Sequence, residues 1–375
     1  MTDRLAELSA QGVAVWVDSI ARDWIEDGHL ARLRDERSVV GVTSNPTIFE
    51  QAMRQGDRYD ASLTELAQQG LDARTIFERL ALEDIRAAAD VLHGVYDATD
   101  GHDGYISYEV APDLAHDSDA TAAEATRLFA ALDRPNVMIK IPATLEGLPA
   151  IREAIGAGVN VNVTLIFSIA RYRAVVDAYL SGLEDRLAAG GDISGIHSVA
   201  SFFVSRVDGL VDPRLAKVVD EGGPGADLAA ARLGTAAIDN AKLAYEAGSE
   251  LFAGDRWQAL TARGANAQRC LWASTSTKNP EYRDVVYCEE LIGRGTVNTM
   301  PLATIDAFAD HGEVRGQTVA ENIDRAHRLW PELAELGLDE DAVGEELEED
   351  GVRKFAASFE ALLETIEDQR RRALG

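Results

Sequence analysis

The chain has 375 residues and a formal net charge of −28, from 36 basic and 64 acidic side chains. A field of that sign repels nucleic acid and anionic membrane, and no apolar run reaches the roughly 18 residues of a spanning helix, so neither is an expected partner. Two isolated cysteines, Cys270 and Cys288, are too few for a disulfide framework or a structural zinc site, and the seven histidines lack an HExxH-like spacing; a reducing, cytoplasmic setting with no metal and no cofactor is expected.

From the amino end, short β-branched segments recur: 13–19 (VAVWVDS), 38–45 (SVVGVTSN), 105–111 (YISYEVA), 137–143 (VMIKIPA), 160–167 (NVNVTLIF), 198–205 (SVASFFVS), 269–275 (RCLWAST) and 296–300 (TVNTM). Their length and composition predict strands, and the amphipathic stretches between most of them predict helices. Eight such alternations give the count of a closed parallel α/β barrel, with a doubly wound open sheet as the competing architecture. The connection from about Pro46 to Gly104 is too long for one helix and is expected to carry several. After Pro301 a loop is expected over 336–351 (LGLDEDAVGEELEEDG), then a helix burying Phe355, Phe359, Leu362 and Ile366 on one face. The chain reads as a single domain, with a barrel core at about 13–305 and the helices of 306–375 packed on it. Composition leaves assembly into a homo-oligomer open.

Polar residues interrupt these strands, and an apolar barrel has to compensate each of them. Lys140, one of only five lysines, stands inside the run Val137–Ala143. Burial penalises the ammonium and is expected to lower its pKa from roughly 10.4 towards neutrality, giving an amine fit for Schiff-base formation. The alternative is a lysine whose stem packs while its head reaches water. Asp18 closes the first segment, Asn45 the second, Glu109 lies on the third, Asn162 and Thr164 share one face of the fifth, and Ser201 stands on the sixth. In a barrel, six strands would then turn a polar group towards one cavity.

The runs GVTSNPTIF (41–49), ISYEV (106–110), VMIKIPATLEGLPAI (137–151), NVNVTLIFS (160–168), ASFFVSRVD (200–208) and GVRKFA (351–356) resemble the transaldolase family, in order across nearly the whole chain. The resemblance implies a (β/α)8 TIM barrel with additional helices. It also implies transfer of a dihydroxyacetone unit between sugar phosphates, through a lysine Schiff base, in the pentose phosphate pathway. On the matching positions it implies Lys140 as nucleophile, Asp18 as general acid/base, and Glu109 with Thr164 as the holders of a water. Asn45, Asn162 and Ser201 would bind the hydroxyls of the retained three-carbon unit, and Arg206 would anchor phosphate; an ion pair with Asp208 or Asp212 is the other reading of Arg206. The best-known members carry a second arginine after the seventh strand, where this chain reads Trp272-Ala273-Ser274-Thr275-Ser276-Thr277-Lys278. Ser274 and Lys278 are expected to complete the phosphate site. Two other functions fit the same barrel: a fructose 6-phosphate aldolase-like lyase releasing free dihydroxyacetone, and a sugar-phosphate binder without turnover. Gly222-Gly223-Pro224-Gly225 reads as a loop and Cys270 as a core residue.

Overall fold

All eight β-branched segments are strands in the computed structural model, which describes residues 3–54 and 57–374. They are β1 (Val13–Val17), β2 (Val39–Thr43), β3 (Tyr105–Glu109), β4 (Val137–Pro142), β5 (Val161–Ile166), β6 (Ser198–Phe203), β7 (Arg269–Ala273) and β8 (Thr296–Met300). Each pairs in parallel with the next, and β8 returns to β1 with Thr296 opposite Val13, so the sheet is a closed barrel and not an open one. Strands covered on both faces must be apolar almost throughout, which is why they were legible as short hydrophobic runs. Inside, Trp16 of β1 lies one layer below Asp18 by the two-residue period. The indole needs Gly41 on β2, where a Cβ would come within 2.3 Å of its Cε2.

The long second connection holds three helices, Pro46–Arg54, Asp60–Gln68 and Ala73–Ala98. A buried polar cluster ties them to the segment after β1. Arg22 Nε donates to Asp84 Oδ1 at 2.7 Å, Tyr59 Oη donates to Asp84 Oδ2 at 2.8 Å, and the Arg22 amide donates to Tyr59 Oη at 3.1 Å.

The loop expected over 336–351 is mostly helix. One continuous helix runs from Glu340 to Leu374, 35 residues, and only the residues before Glu340 form a loop. Asp339 caps it by accepting from the Ala342 amide at 3.1 Å, and Glu340 and Asp341 suit the positive end of the helix dipole. Gly344 and Gly351 weaken a helix by about 1 kcal/mol each, which made this stretch look non-helical. Their function is tertiary: a Cβ at Gly351 would lie 2.8 Å from Leu165 Cδ2, and one at Gly344 would lie 3.1 Å from Ser168 Cβ. Burial of Phe355, Phe359, Leu362 and Ile366, at about 1.5–3 kcal/mol per side chain, outweighs the two glycines.

This helix crosses the carboxyl ends of the strands. Thr47, after β2, donates to Ser358 at 2.8 Å; Arg171, beyond β5, pairs with Glu348 at 2.9 Å; and the Ile169 amide donates to Glu340 at 2.8 Å. No helix among the described residues is long and apolar enough to cross a membrane.

Candidate active site

Lys140 is 4 % exposed. Strand register sets it between Glu109 of β3 and Asn162 of β5, and its Nζ donates to the Ser44 carbonyl at 3.3 Å. No carboxylate forms an ion pair with it among the described residues, so the amine is held by one neutral acceptor. On the side away from Glu109 its neighbours are neutral as well. Asn162 donates to Ser107 Oγ at 2.9 Å and accepts from Ser201 Oγ at 2.7 Å, a chain linking β3, β5 and β6. Amides and hydroxyls of this kind can orient a polyol without adding a charge beside the amine.

Asp18 follows β1 at the mouth, three strands round the barrel from Lys140. Thr43 Oγ1 donates to its Oδ1 at 2.6 Å and lies 2.6 Å from Thr299 Oγ1. Because the Thr43 proton is committed to the carboxylate, Thr299 must be the donor in the second bond. The relay from β8 through β2 fixes one carboxylate oxygen and leaves the other for a reacting group. Asn45 accepts from the Ile48 amide at 3.0 Å, which caps the helix Pro46–Arg54 and aims the amide nitrogen elsewhere.

Glu109 ends β3. Its Oε2 is sealed from solvent and has no hydrogen-bond partner, and Thr164 Oγ1 on β5 is in the same state. Burial pushes the Glu109 carboxyl from 4.5 up to about 7; Lys140 and Arg206 pull against that shift and Asp18 adds to it. Two unsatisfied buried oxygens are costly unless something bonds them in the working protein. A cavity of about 60 Å³ at the end of β3, lined by Tyr108 and Glu109 together with Asn45, Phe49, Phe77 and Phe359, has room for water, and neither Thr164 nor Lys140 lines it.

Arg206 opens the helix Ser205–Glu221 that follows β6. Its guanidinium lies 4.9 Å from the Phe203 ring and 5.7 Å from the Phe355 ring, and Nη1 is buried without a partner. Burial holds its pKa below the ordinary value, against the opposing fields of Asp350, Asp18 and Glu109. Neither alternative partner is engaged with it. Asp208 accepts from the Ala237 amide and Tyr287, and Asp212 from the Gly234 amide and Tyr282. Ser274, at φ 57°, bonds Ser205 Oγ at 2.9 Å through its hydroxyl and so stands beside Arg206. Lys278 is exposed, donates to Ser276 Oγ at 2.8 Å, and lines an outer cleft with Ser205, Asp212 and Tyr282. Trp272 turns to the outside of β7, where its indole donates to the Leu291 carbonyl at 3.0 Å. Cys270 is a buried wall residue 3.1 Å from Tyr172 Oη.

The family described as Transaldolase/Fructose-6-phosphate aldolase matches residues 15–366. The chain belongs to this family. Its relatives include Transaldolase 1 of Streptomyces coelicolor, 54 % identical over 96 % of this chain and 93 % of that protein. The transaldolases of Frankia alni and Thermobifida fusca are each 52 % identical over 98 % of this chain and over 98 % and 99 % of their own lengths. Relatives of this name along the whole barrel make the family member an enzyme of the transferase class.

Sequence reading missed four residues of this transaldolase-family site: Thr43, Ser107, Thr299 and Phe355. Ser107 was accessible, since it lies two residues before Glu109 on the same face. Thr299 carries no signal beyond its place on β8, because its contact with Thr43 spans most of the chain. Phe355 was expected to pack on the barrel body, and it also walls Arg206.

Proposed function

We propose that the chain transfers dihydroxyacetone reversibly from sedoheptulose 7-phosphate to glyceraldehyde 3-phosphate, giving erythrose 4-phosphate and fructose 6-phosphate, in the non-oxidative pentose phosphate pathway. The observation that carries the reading is Lys140: a buried amine, without an ion pair among the described residues, between a carboxyl and a neutral polar chain at the mouth of a closed barrel. The amine adds to the ketose carbonyl carbon, and loss of water gives the iminium. Asp18 takes the proton from the hydroxyl two carbons away, the carbon–carbon bond breaks, and its electron pair moves to the iminium. An aldose phosphate leaves, and an enamine of dihydroxyacetone stays on Lys140. The enamine carbon adds to the next aldehyde, Asp18 returns its proton, and water hydrolyses the new Schiff base.

The unpartnered oxygens of Glu109 and Thr164 support a role as the holders of the water that exchanges protons during dehydration and hydrolysis. Asn45, Asn162 and Ser201 would bind the three-carbon unit. Arg206, with Ser274 beside it, would bind the phosphate at the far end of the sugar, and Lys278 would turn inward from the outer cleft to join them. The protein is proposed to act as one domain in the cytoplasm. The helix across the mouth supports the first point, and two free buried cysteines support the second.

Borohydride reduction with fructose 6-phosphate tests this directly. Mass spectrometry is expected to find a reduced three-carbon adduct on Lys140 and none in Lys140→Ala. Full activity in Lys140→Ala ends the mechanism. Adding an acceptor aldehyde separates transfer from lysis, because a lyase yields free dihydroxyacetone in place of a new ketose.

A further inference from the structure

With a net charge of −28, the protein can hold a phosphate dianion only through cations gathered locally. Arg206 is one, and the helix Glu340–Leu374 is in direct contact with it. A Cβ at Gly351 would come 3.4 Å from Arg206 Nη1, and Phe355 flanks the guanidinium. On the same stretch Asp350 bridges two cations, Lys354 Nζ and Arg353 Nη2, each at 2.5 Å. At about 100° per residue, Lys354 lies roughly 60° from Gly351 on the side of Asp350, whereas Arg353 lies roughly 160° away. Lys354 therefore borders the Arg206 face and Arg353 points away from it. Asp350 is 24 % exposed and Lys354 63 %, so the ammonium can swing while the carboxylate is more confined.

We propose that Asp350 stands in for the substrate phosphate in the empty enzyme, and that Lys354 leaves it to bind the phosphate once Arg206 has engaged that group. The inference rests on the sugar-phosphate reading above and deepens it by assigning a further phosphate cation on the C-terminal helix. An exposed pair four residues apart on one helix is weak, so little opposes the exchange. A dianion with three acceptor oxygens attracts the ammonium more strongly than a monoanionic carboxylate does. Gly351 lets the helix backbone approach closely enough for the exchange. Because the pair is weak, substitutions at either position leave the fold intact and report on binding.

The test uses the full-length enzyme and two readouts. The first is calorimetric binding of inorganic phosphate, which needs no turnover. Lys354→Met is expected to weaken it roughly tenfold, the loss of one charge-assisted bond, and Asp350→Asn to tighten it about threefold by removing the competing carboxylate. The second is the ratio of kcat/KM for erythrose 4-phosphate to that for D-glyceraldehyde, which should fall roughly tenfold in Lys354→Met and rise in Asp350→Asn. Equal effects on both acceptors, or weaker phosphate binding in Asp350→Asn, overturn the proposal. Absence of a borohydride adduct on Lys140 defeats the transaldolase reading instead, and phosphate binding still reports on Lys354 in that case.

Discussion

Glu109→Gln separates two consequences of one buried carboxyl. The glutamine keeps the shape and the hydrogen-bonding reach of the side chain but cannot ionise. With the wild-type carboxyl held at about 7, the group is half ionised near neutrality. Its base form therefore grows from about one tenth at about pH 6 to about nine tenths at about pH 8. If that form orients and deprotonates water, kcat rises along a limb with its midpoint near 7. Glu109→Gln is expected to abolish the limb and to lower kcat by about 10²–10⁴, roughly 3–5 kcal/mol in the barrier.

Stability should move the other way. A carboxyl raised from 4.5 to about 7 by burial keeps its proton more firmly in the folded state than in the unfolded chain. Its favourable contribution is complete below the unfolded value and is lost as pH rises through about 7. Between about pH 5 and about pH 9 the variant should gain about 3 kcal/mol on the wild type. Steady-state kinetics across that range, with urea unfolding at both ends, measures both quantities. A variant that kept the wild-type limb and rate would refute the assignment, and one with no stability gain at high pH would refute the burial argument.

Asp18→Asn should still form the reduced adduct on Lys140 while carbon–carbon cleavage slows by about 10²–10⁴, followed by single-turnover release of aldose phosphate; loss of the adduct itself would assign Asp18 to an earlier step. Asp84→Ala leaves Arg22 with Glu83 as its remaining ion-pair partner and Tyr59 without its acceptor, and equilibrium urea denaturation should register a loss of about 2–3 kcal/mol; a change under about 1 kcal/mol would mean that the cluster does not fasten the inserted helices. Lys278→Ala should raise the apparent KM for sugar phosphates about tenfold, and an unchanged value would remove Lys278 from the phosphate site.

The barrel was legible because each strand is covered on both faces, so the sequence at those positions answers to burial alone. The ionisable residues at the strand ends stood out against that background, Lys140 most of all. Their mutual bonds were not legible. The Thr43–Thr299 contact and the Asn162 chain depend on barrel closure, which sets residues far apart in sequence side by side. The acidic start of the C-terminal helix was misread because its glycines obey a tertiary demand, the close approach to Leu165 and Ser168, that no local pattern encodes. Lys278 shows the same limit from the other side: its spacing from β7 was visible, but its outward direction was decided by the loop and its bond to Ser276.

A ribosome delivers β1 to β8 before the helix Glu340–Leu374 exists. A barrel could then close co-translationally, but the aromatic wall beside Arg206 would still be missing until Phe355 emerged. Catalytic competence is thus the last property the nascent chain acquires, and a transcript truncated ahead of codon 340 would yield a barrel with its lysine in place and one side of its anion cradle open.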